Sequence, residues 1–203
     1  MDILIGTRNA YKKEEMIWFL GENLKLNIHS LDELNINIKV EENKSSLIKN
    51  AEKKAKELSK LTDYYVLASD GGVDIPGLGN KWNFLKSQRT VGENNTDLIK
   101  VQYLLSLMKD LKGAQREVTN YLALALAKNG KVIWSKEEIT DKGFIAKDLI
   151  DNNIPKYCWM GHIWYYPKHK KVFNQLNKNE LEDIRKEGKK LQISLQKQLE
   201  KII

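Results

Sequence analysis

The chain opens on Ile3-Leu4-Ile5, an apolar run that stops at Gly6 and passes through Thr7, Arg8 and Asn9 into a helical pattern carrying Met16, Ile17, Phe19 and Leu20. Such a run reads as a buried strand. A strand that turns directly into a helix aims several backbone N–H groups, and the positive end of the helix dipole, at one point. Lys12, in the first turn, adds a full positive charge there. The arrangement suits an anion, with phosphate the first choice. Taken alone, the same residues also describe a capped first helix with a solvated lysine.

With 203 residues, of which 41% are hydrophobic and 30% charged, the chain can bury a sizeable core. The expectation is a single domain over 1–203 with two lobes around a shared sheet. No apolar run approaches the ~20 residues needed to cross a bilayer. The N-terminus lacks the basic-then-apolar layout of a signal peptide, and one cysteine, Cys158, suits a reducing compartment. The expected setting is therefore cytoplasmic, without a membrane partner. Three histidines and that cysteine leave little from which to build a zinc site. A net charge of +7 favours polyanionic partners. Such a partner is a nucleic acid or a nucleotide, but the basic residues are interspersed with acids along the chain, so the charge carries little weight. A nucleic-acid-binding protein, which rests on charge alone, is the weakest reading.

Short apolar or alternating runs predict strands near 2–6, 26–30, 36–40, 64–69, 117–127, 130–135 and 161–166. Helical periodicity appears near 11–22, 46–61, 95–110 and 178–200. The last of these places Leu181, Ile184, Leu191, Leu195 and Leu199 on one face of an amphipathic helix. Helices interspersed with strands, and consecutive strands after residue 116, indicate a mixed α/β sheet.

Two further stretches carry chemistry. Val40-Glu41-Glu42-Asn43-Lys44-Ser45-Ser46 leads into a helix holding Asn50, Ala51, Lys54 and Ala55. Its paired acids offer oxygen ligands to a hard cation, or form a solvated acidic turn. In Val66-Leu67-Ala68-Ser69-Asp70-Gly71-Gly72-Val73 an apolar strand is expected to end at Asp70, with two glycines following. A carboxylate leaving a buried strand is well placed to hold Mg²⁺ or to take a proton from water. The glycines permit close approach of a ligand, or else a hairpin turn.

Together the three stretches resemble the inosine-triphosphate pyrophosphatase family, of which this chain would be a divergent member. The family's T-x-N-x-x-K is met by Thr7, Asn9 and Lys12. Its E-E-x-x-x-S…N-A-x-x-K-A block is met by Glu41, Glu42, Ser46, Asn50, Ala51, Lys54 and Ala55, and its A-D-D-S-G-L by Ala68-Ser69-Asp70-Gly71-Gly72-Val73. Asn94-Asn95 before a helix, and Arg116 ahead of Leu122 to Ala127, fit more loosely. The resemblance implies an elongated, twisted mixed α/β sheet with flanking helices, two lobes around a central cleft, and a homodimer. It also implies Mg²⁺-dependent cleavage between the α- and β-phosphates of aberrant purine nucleoside triphosphates such as ITP, dITP and XTP. Carried over, Asp70 is the general base and a metal ligand, and Glu42 is a metal ligand with Glu41 beside it. Thr7, Asn9, Lys12, Lys54 and Gly71 hold the substrate.

The chain departs from the pattern at Ser69 and Gly71, where the family has aspartate and serine. The family's base-wrapping G-F-G-[YW]-D-P corresponds to Trp159-Met160-Gly161-His162-Ile163-Trp164. Its E-K-N-x-x-S-H-R corresponds to Glu180 through Glu187, without the lysine-histidine-arginine triad. Trp159, Trp164, Tyr165 and Tyr166 can stack on a base or pack in a core. Two readings follow. One is an enzyme that releases a monophosphate and pyrophosphate. The other is a weak or inactive relative that binds a purine triphosphate such as dITP and signals to a protein partner.

Overall fold

A computed structural model describes the whole chain except Asn23 and residues 93–94 and 151–157; of Gln88 and Arg89 it describes the backbone alone. Asn94, matched above to the family pattern, lies outside the described residues. The strands are β1 (Asp2–Ile5), β2 (Asn27–Ser30), β3 (Tyr65–Asp74), β4 (Glu117–Lys128), β5 (Lys131–Ile145), β6 (Trp164–Tyr166) and β7 (Lys171–Val172). The α-helices are α1 (Ala10–Leu20), α2 (Leu47–Leu58), α3 (Ser87–Thr90), α4 (Asp97–Leu107), α5 (Lys178–Ile184) and α6 (Lys189–Glu200). The strands form one mixed sheet in the order β2-β1-β3-β4-β5-β6-β7, with β1 parallel to both neighbours and β6 antiparallel to β5 and β7. This is the mixed α/β class the sequence predicts.

The chain divides into two compact units. The first comprises Met1–Gly71, Leu122–Glu138 and Gly188–Ile203. Within it, alternate β1 residues serve opposite faces of the sheet. Ile3 and Ile5 join Leu67, Leu122, Leu124 and Leu126 beneath Met16, Phe19 and Leu20 of α1 and Leu191, Leu195 and Leu199 of α6. Leu4 joins Val66, Leu31, Ile36 and Leu58 on the other side. A strand covered on both faces needs an unbroken apolar run, which is why Ile3-Leu4-Ile5 does not alternate. Gly6 follows because its surroundings are full. A Cβ there would lie 2.9 Å from Leu58 Cδ1 and 3.2 Å from Ala68 Cβ.

The second unit comprises Gly72–Tyr121 and Ile139–Glu187. Its core gathers Trp82, Val101, Leu104, Met108, Val118 and Ile145 with Trp159, Met160, Ile163, Trp164 and Tyr166. Trp159, Trp164 and Tyr166 are therefore packing residues, and Tyr165 is half-buried.

Several sequence expectations are corrected. Asp70 does not end its strand: β3 runs on to Asp74, through both glycines. Neither glycine has positive φ. Gly72 is required by packing, since a Cβ there would sit 2.8 Å from the Phe84 carbonyl oxygen and 2.9 Å from its ring. Gly72→Ala is expected to destabilise by about 1–3 kcal/mol, measured as a lowered urea midpoint at unchanged slope. Residues 36–40 form no strand. Ile36 is buried while Ile38 is 42% exposed, although a strand would place them on one face. The expected strand at 130–135 runs to Ile145, and the two-residue turn Asn129-Gly130, both at positive φ, joins it to β4 as a hairpin. The expected strand over 161–166 begins only at Trp164, because Trp159–His162 form a 3₁₀ turn. The single helix expected over 178–200 is broken by a second such turn, Arg185–Gly188. Ile184 packs against one core and Leu191 belongs to the other, so one continuous stripe does not serve both.

Candidate functional site

The site residues expected from sequence all fall within Met1–Gly71 of the first unit. In the N-terminal turn, Asn9 caps α1. Its side-chain oxygen accepts the Lys12 N–H at 3.1 Å, and the Thr7 hydroxyl accepts the Asn9 N–H at 3.2 Å. This is the geometry of a capped helix, and it leaves Lys12 in the first turn. Arg8 ties the turn to the segment that follows β2. Its guanidinium donates to Asp32 at 3.1 Å, to the Ile36 carbonyl, and to Asn37 at 3.3 Å.

Helix α2 starts at its cap Ser46 and buries Leu47, Asn50, Ala51, Ala55 and Leu58. Asn50 and Lys54, four residues apart, share a face of the helix. Asn50 is almost wholly buried and bonds in two directions. Its Nδ2 donates to Asp70 Oδ2 at 2.9 Å, and its Oδ1 accepts the Lys44 N–H at 2.8 Å. Lys54 Nζ donates to the Glu42 carboxylate and, at 2.9 Å, to the Ser69 carbonyl. Glu42 is thus drawn to β3, whereas Glu41 is exposed, and its carboxylate accepts from the nearby Asn43 at 3.3 Å.

Asp70 lies at the centre of this set. It is 5% exposed, and its Oδ1 accepts the Gly71 N–H at 3.0 Å. Burial pushes its pKa above the ordinary 3.8, and the charge of Glu42 pushes it further. The Asn50 hydrogen bond and the charges of Lys12 and Lys54 act in the opposite direction. Thus α2 joins the parts: Asn50 bonds Asp70 directly and Lys54 links Glu42 to β3 at Ser69, while Lys12 bears on the carboxylate through its charge.

The sign of the pH dependence follows. Between 3.8 and the raised native value the folded state holds more protons at Asp70 than the unfolded state, so this group's contribution to stability falls as pH rises through that window. The difference in melting temperature between Asp70→Asn and the wild-type chain is expected to grow with pH across that range and then level off.

Whether these residues suit a divalent ion can be judged from the donors. Among the described residues no group of three or more His, Cys, Asp or Glu side chains is placed to hold a metal. Glu42 and Asp70 alone make no closed cage. Two carboxylates do suit Mg²⁺, which keeps several waters and takes its remaining ligands from substrate phosphates. Each Asp70 oxygen accepts one hydrogen bond, which leaves each a second lone pair.

A model of the Ham1 family matches residues 3–195. The chain belongs to the Ham1 family. This bears out the resemblance to inosine-triphosphate pyrophosphatases drawn from the motifs. Over 195 residues, 93% of each chain, it is 29% identical to a dITP/XTP pyrophosphatase of Clostridium perfringens. It is 35% identical over 153 residues to one from Clostridium tetani, covering 70% of this chain and 75% of that relative. Its fold matches a HAM1 protein from Coxiella burnetii with a TM-score of 0.77 and 25% identity, over 97% of this chain and 99% of the other. The Ham1 protein of Staphylococcus aureus shares the fold as well, with a TM-score of 0.74.

Within this Ham1-family chain, Ser69 faces away from Asp70, as neighbours on a strand must. Its buried hydroxyl has no hydrogen-bond partner among the described residues, and its carbonyl accepts from Lys54. At the C-terminal departure, Arg185 pairs with Glu182 at 3.1 Å and Lys186 with Asp183 at 2.8 Å. Sequence reasoning quoted Asn50 in a motif but gave it no task. Its signal was the i, i+4 spacing to Lys54.

Proposed function

We propose that this chain is a nucleoside-triphosphate pyrophosphatase that converts purine nucleoside triphosphates of the dITP and XTP class to the monophosphate and pyrophosphate. One observation carries the reading: a buried carboxylate, Asp70, is hydrogen-bonded to Asn50 of α2, while Lys54 of the same helix face bonds both the neighbouring Ser69 carbonyl and the Glu42 carboxylate. The names of the relatives from Clostridium support the same class of reaction.

In this reading Thr7, Asn9, Lys12, Lys54 and the Gly71 backbone bind the triphosphate, and the two lysines offset its charge. Glu42 and Asp70 would hold Mg²⁺, whose chemistry here is to polarise the phosphoryl oxygens and neutralise the leaving pyrophosphate. Asp70 takes the proton of a water that attacks the α-phosphorus. The bond from that phosphorus to the bridging oxygen breaks, and pyrophosphate leaves. For Glu42 to reach the phosphates, Lys54 transfers from its carboxylate to the substrate. Magnesium, the homodimer and the cytoplasmic setting belong to the same proposal and rest on the family resemblance.

The test is incubation with dITP, XTP, ITP and ATP in Mg²⁺, with both products identified. Monophosphate and pyrophosphate from dITP or XTP, in preference to ATP, is the expected result. Release of orthophosphate and a diphosphate would overturn the reading. Tight dITP binding without turnover would select the sensor alternative, which Ser69 and the missing S-H-R motif favour.

A further inference from the structure

Residues 41–44 belong to no helix or strand, yet every one of them is tied down by the facing side of α2. Lys53 Nζ donates to the Glu41 carbonyl at 2.9 Å and to Asn43 Oδ1 at 3.0 Å. Lys54 holds the Glu42 carboxylate, and Asn50 accepts the Lys44 N–H. The two Lys53 bonds therefore fall on the residues immediately before and after Glu42. A backbone anchored on both sides of one residue fixes where that residue's side chain begins. The contact with Lys54, by contrast, must be given up when substrate arrives.

We propose that Lys53 is a positioning residue for Glu42: it holds the flanking residues in place, so that the carboxylate stays beside Asp70 after Lys54 turns to the phosphates. The proposal rests on the functional reading above only for Glu42's task, not for the clamp itself. Both hydrogen bonds described for the Lys53 ammonium go to the residues flanking Glu42, so it acts through the loop. Charge-assisted hydrogen bonds are the stronger kind, and arginine can reproduce both donors from one head group.

The test compares Lys53→Ala, Lys53→Arg and, as a control for lost charge on the same helix, Lys49→Ala. In the free protein, amide hydrogen exchange at Lys44 should quicken several-fold in Lys53→Ala, return towards wild type in Lys53→Arg, and stay unchanged in Lys49→Ala. In turnover of dITP, Lys53→Ala should raise the half-activating Mg²⁺ concentration about tenfold while kcat at saturating Mg²⁺ changes little. An unchanged Lys44 exchange rate in Lys53→Ala would overturn the proposal, as would an equal Mg²⁺ shift in Lys49→Ala. A wild-type chain that releases no pyrophosphate would defeat the functional reading instead, and the exchange measurement would still decide the clamp.

Discussion

Asp70→Asn is expected to lower kcat for dITP by about 10³-fold or more while leaving nucleotide affinity within a few-fold of wild type. The substitution keeps the shape of the side chain and an oxygen for the Asn50 N–H to meet, at the cost of the oxygen that accepts the Gly71 N–H, and removes the proton acceptor. Its effect on stability should run the other way. Burial disfavours the charged carboxylate, so the neutral amide should not lower the melting temperature near neutral pH. A loss of activity accompanied by a lower melting temperature would point to a structural carboxylate. A loss of activity alone identifies a carboxylate that serves the reaction, and an unchanged Mg²⁺ requirement in the residual activity singles out the base. Steady-state kinetics beside thermal denaturation of the same preparation checks both halves.

The second large effect concerns stability in the other unit. Arg116 is 5% exposed, and its guanidinium donates to four backbone carbonyls: Ile145 at 2.7 Å, Met108 at 2.7 Å, Leu111 at 3.3 Å and Ala146. Two of these lie just past the end of α4, where helix carbonyls lack intrahelical partners, and two lie at the end of β5. Burial lowers the Arg116 pKa, yet arginine stays charged in proteins, and each of its three nitrogens makes at least one hydrogen bond. Arg116→Ala would take a partner from all four carbonyls, of which Met108 keeps another, the Leu111 N–H at 3.0 Å, and would leave a void. Each buried unsatisfied group costs about 1–3 kcal/mol, so a loss of at least ~3 kcal/mol is expected, or roughly 10 °C in melting temperature. Amide exchange should rise first in α4 and at the end of β5. Arg116→Lys should recover only part of the loss, because one ammonium cannot reach four acceptors arranged around a planar fork. A fall below 2 °C in Arg116→Ala would refute the assigned role.

Much of the first unit was legible because its signals were local and mutually consistent. An unbroken apolar run announced the buried strand β1, and the polar turn through Asn9 announced a capped first helix, whereas the face shared by Asn50 and Lys54 went unread although their i, i+4 spacing carried it. The misreadings arose where tertiary packing overrode local pattern. Asp70-Gly71-Gly72 looks like a turn, but the approach of Phe84 makes the glycine necessary inside a strand. Ile36, Ile38 and Val40 alternate like a strand, yet Arg8 takes the Ile36 carbonyl and only Ile36 is buried. The stripe from Leu181 to Leu199 looks like one helix, although its halves serve different cores. The task of Arg116 was not legible, because it acts on backbone carbonyls, which carry no sequence signal. That of Lys53 was hidden because its partners are a backbone carbonyl and an asparagine in an irregular segment ten and more residues away.

The most direct measurement is a crystal structure of the wild-type chain with Mg²⁺ and the non-hydrolysable α,β-imido analogue of dITP. The account predicts phosphate oxygens within hydrogen-bonding distance of Lys12 and Lys54, the Glu42 carboxylate released from Lys54, and the ion between Glu42 and Asp70. An analogue seated away from Thr7–Lys12, with Lys54 still holding Glu42, would contradict it.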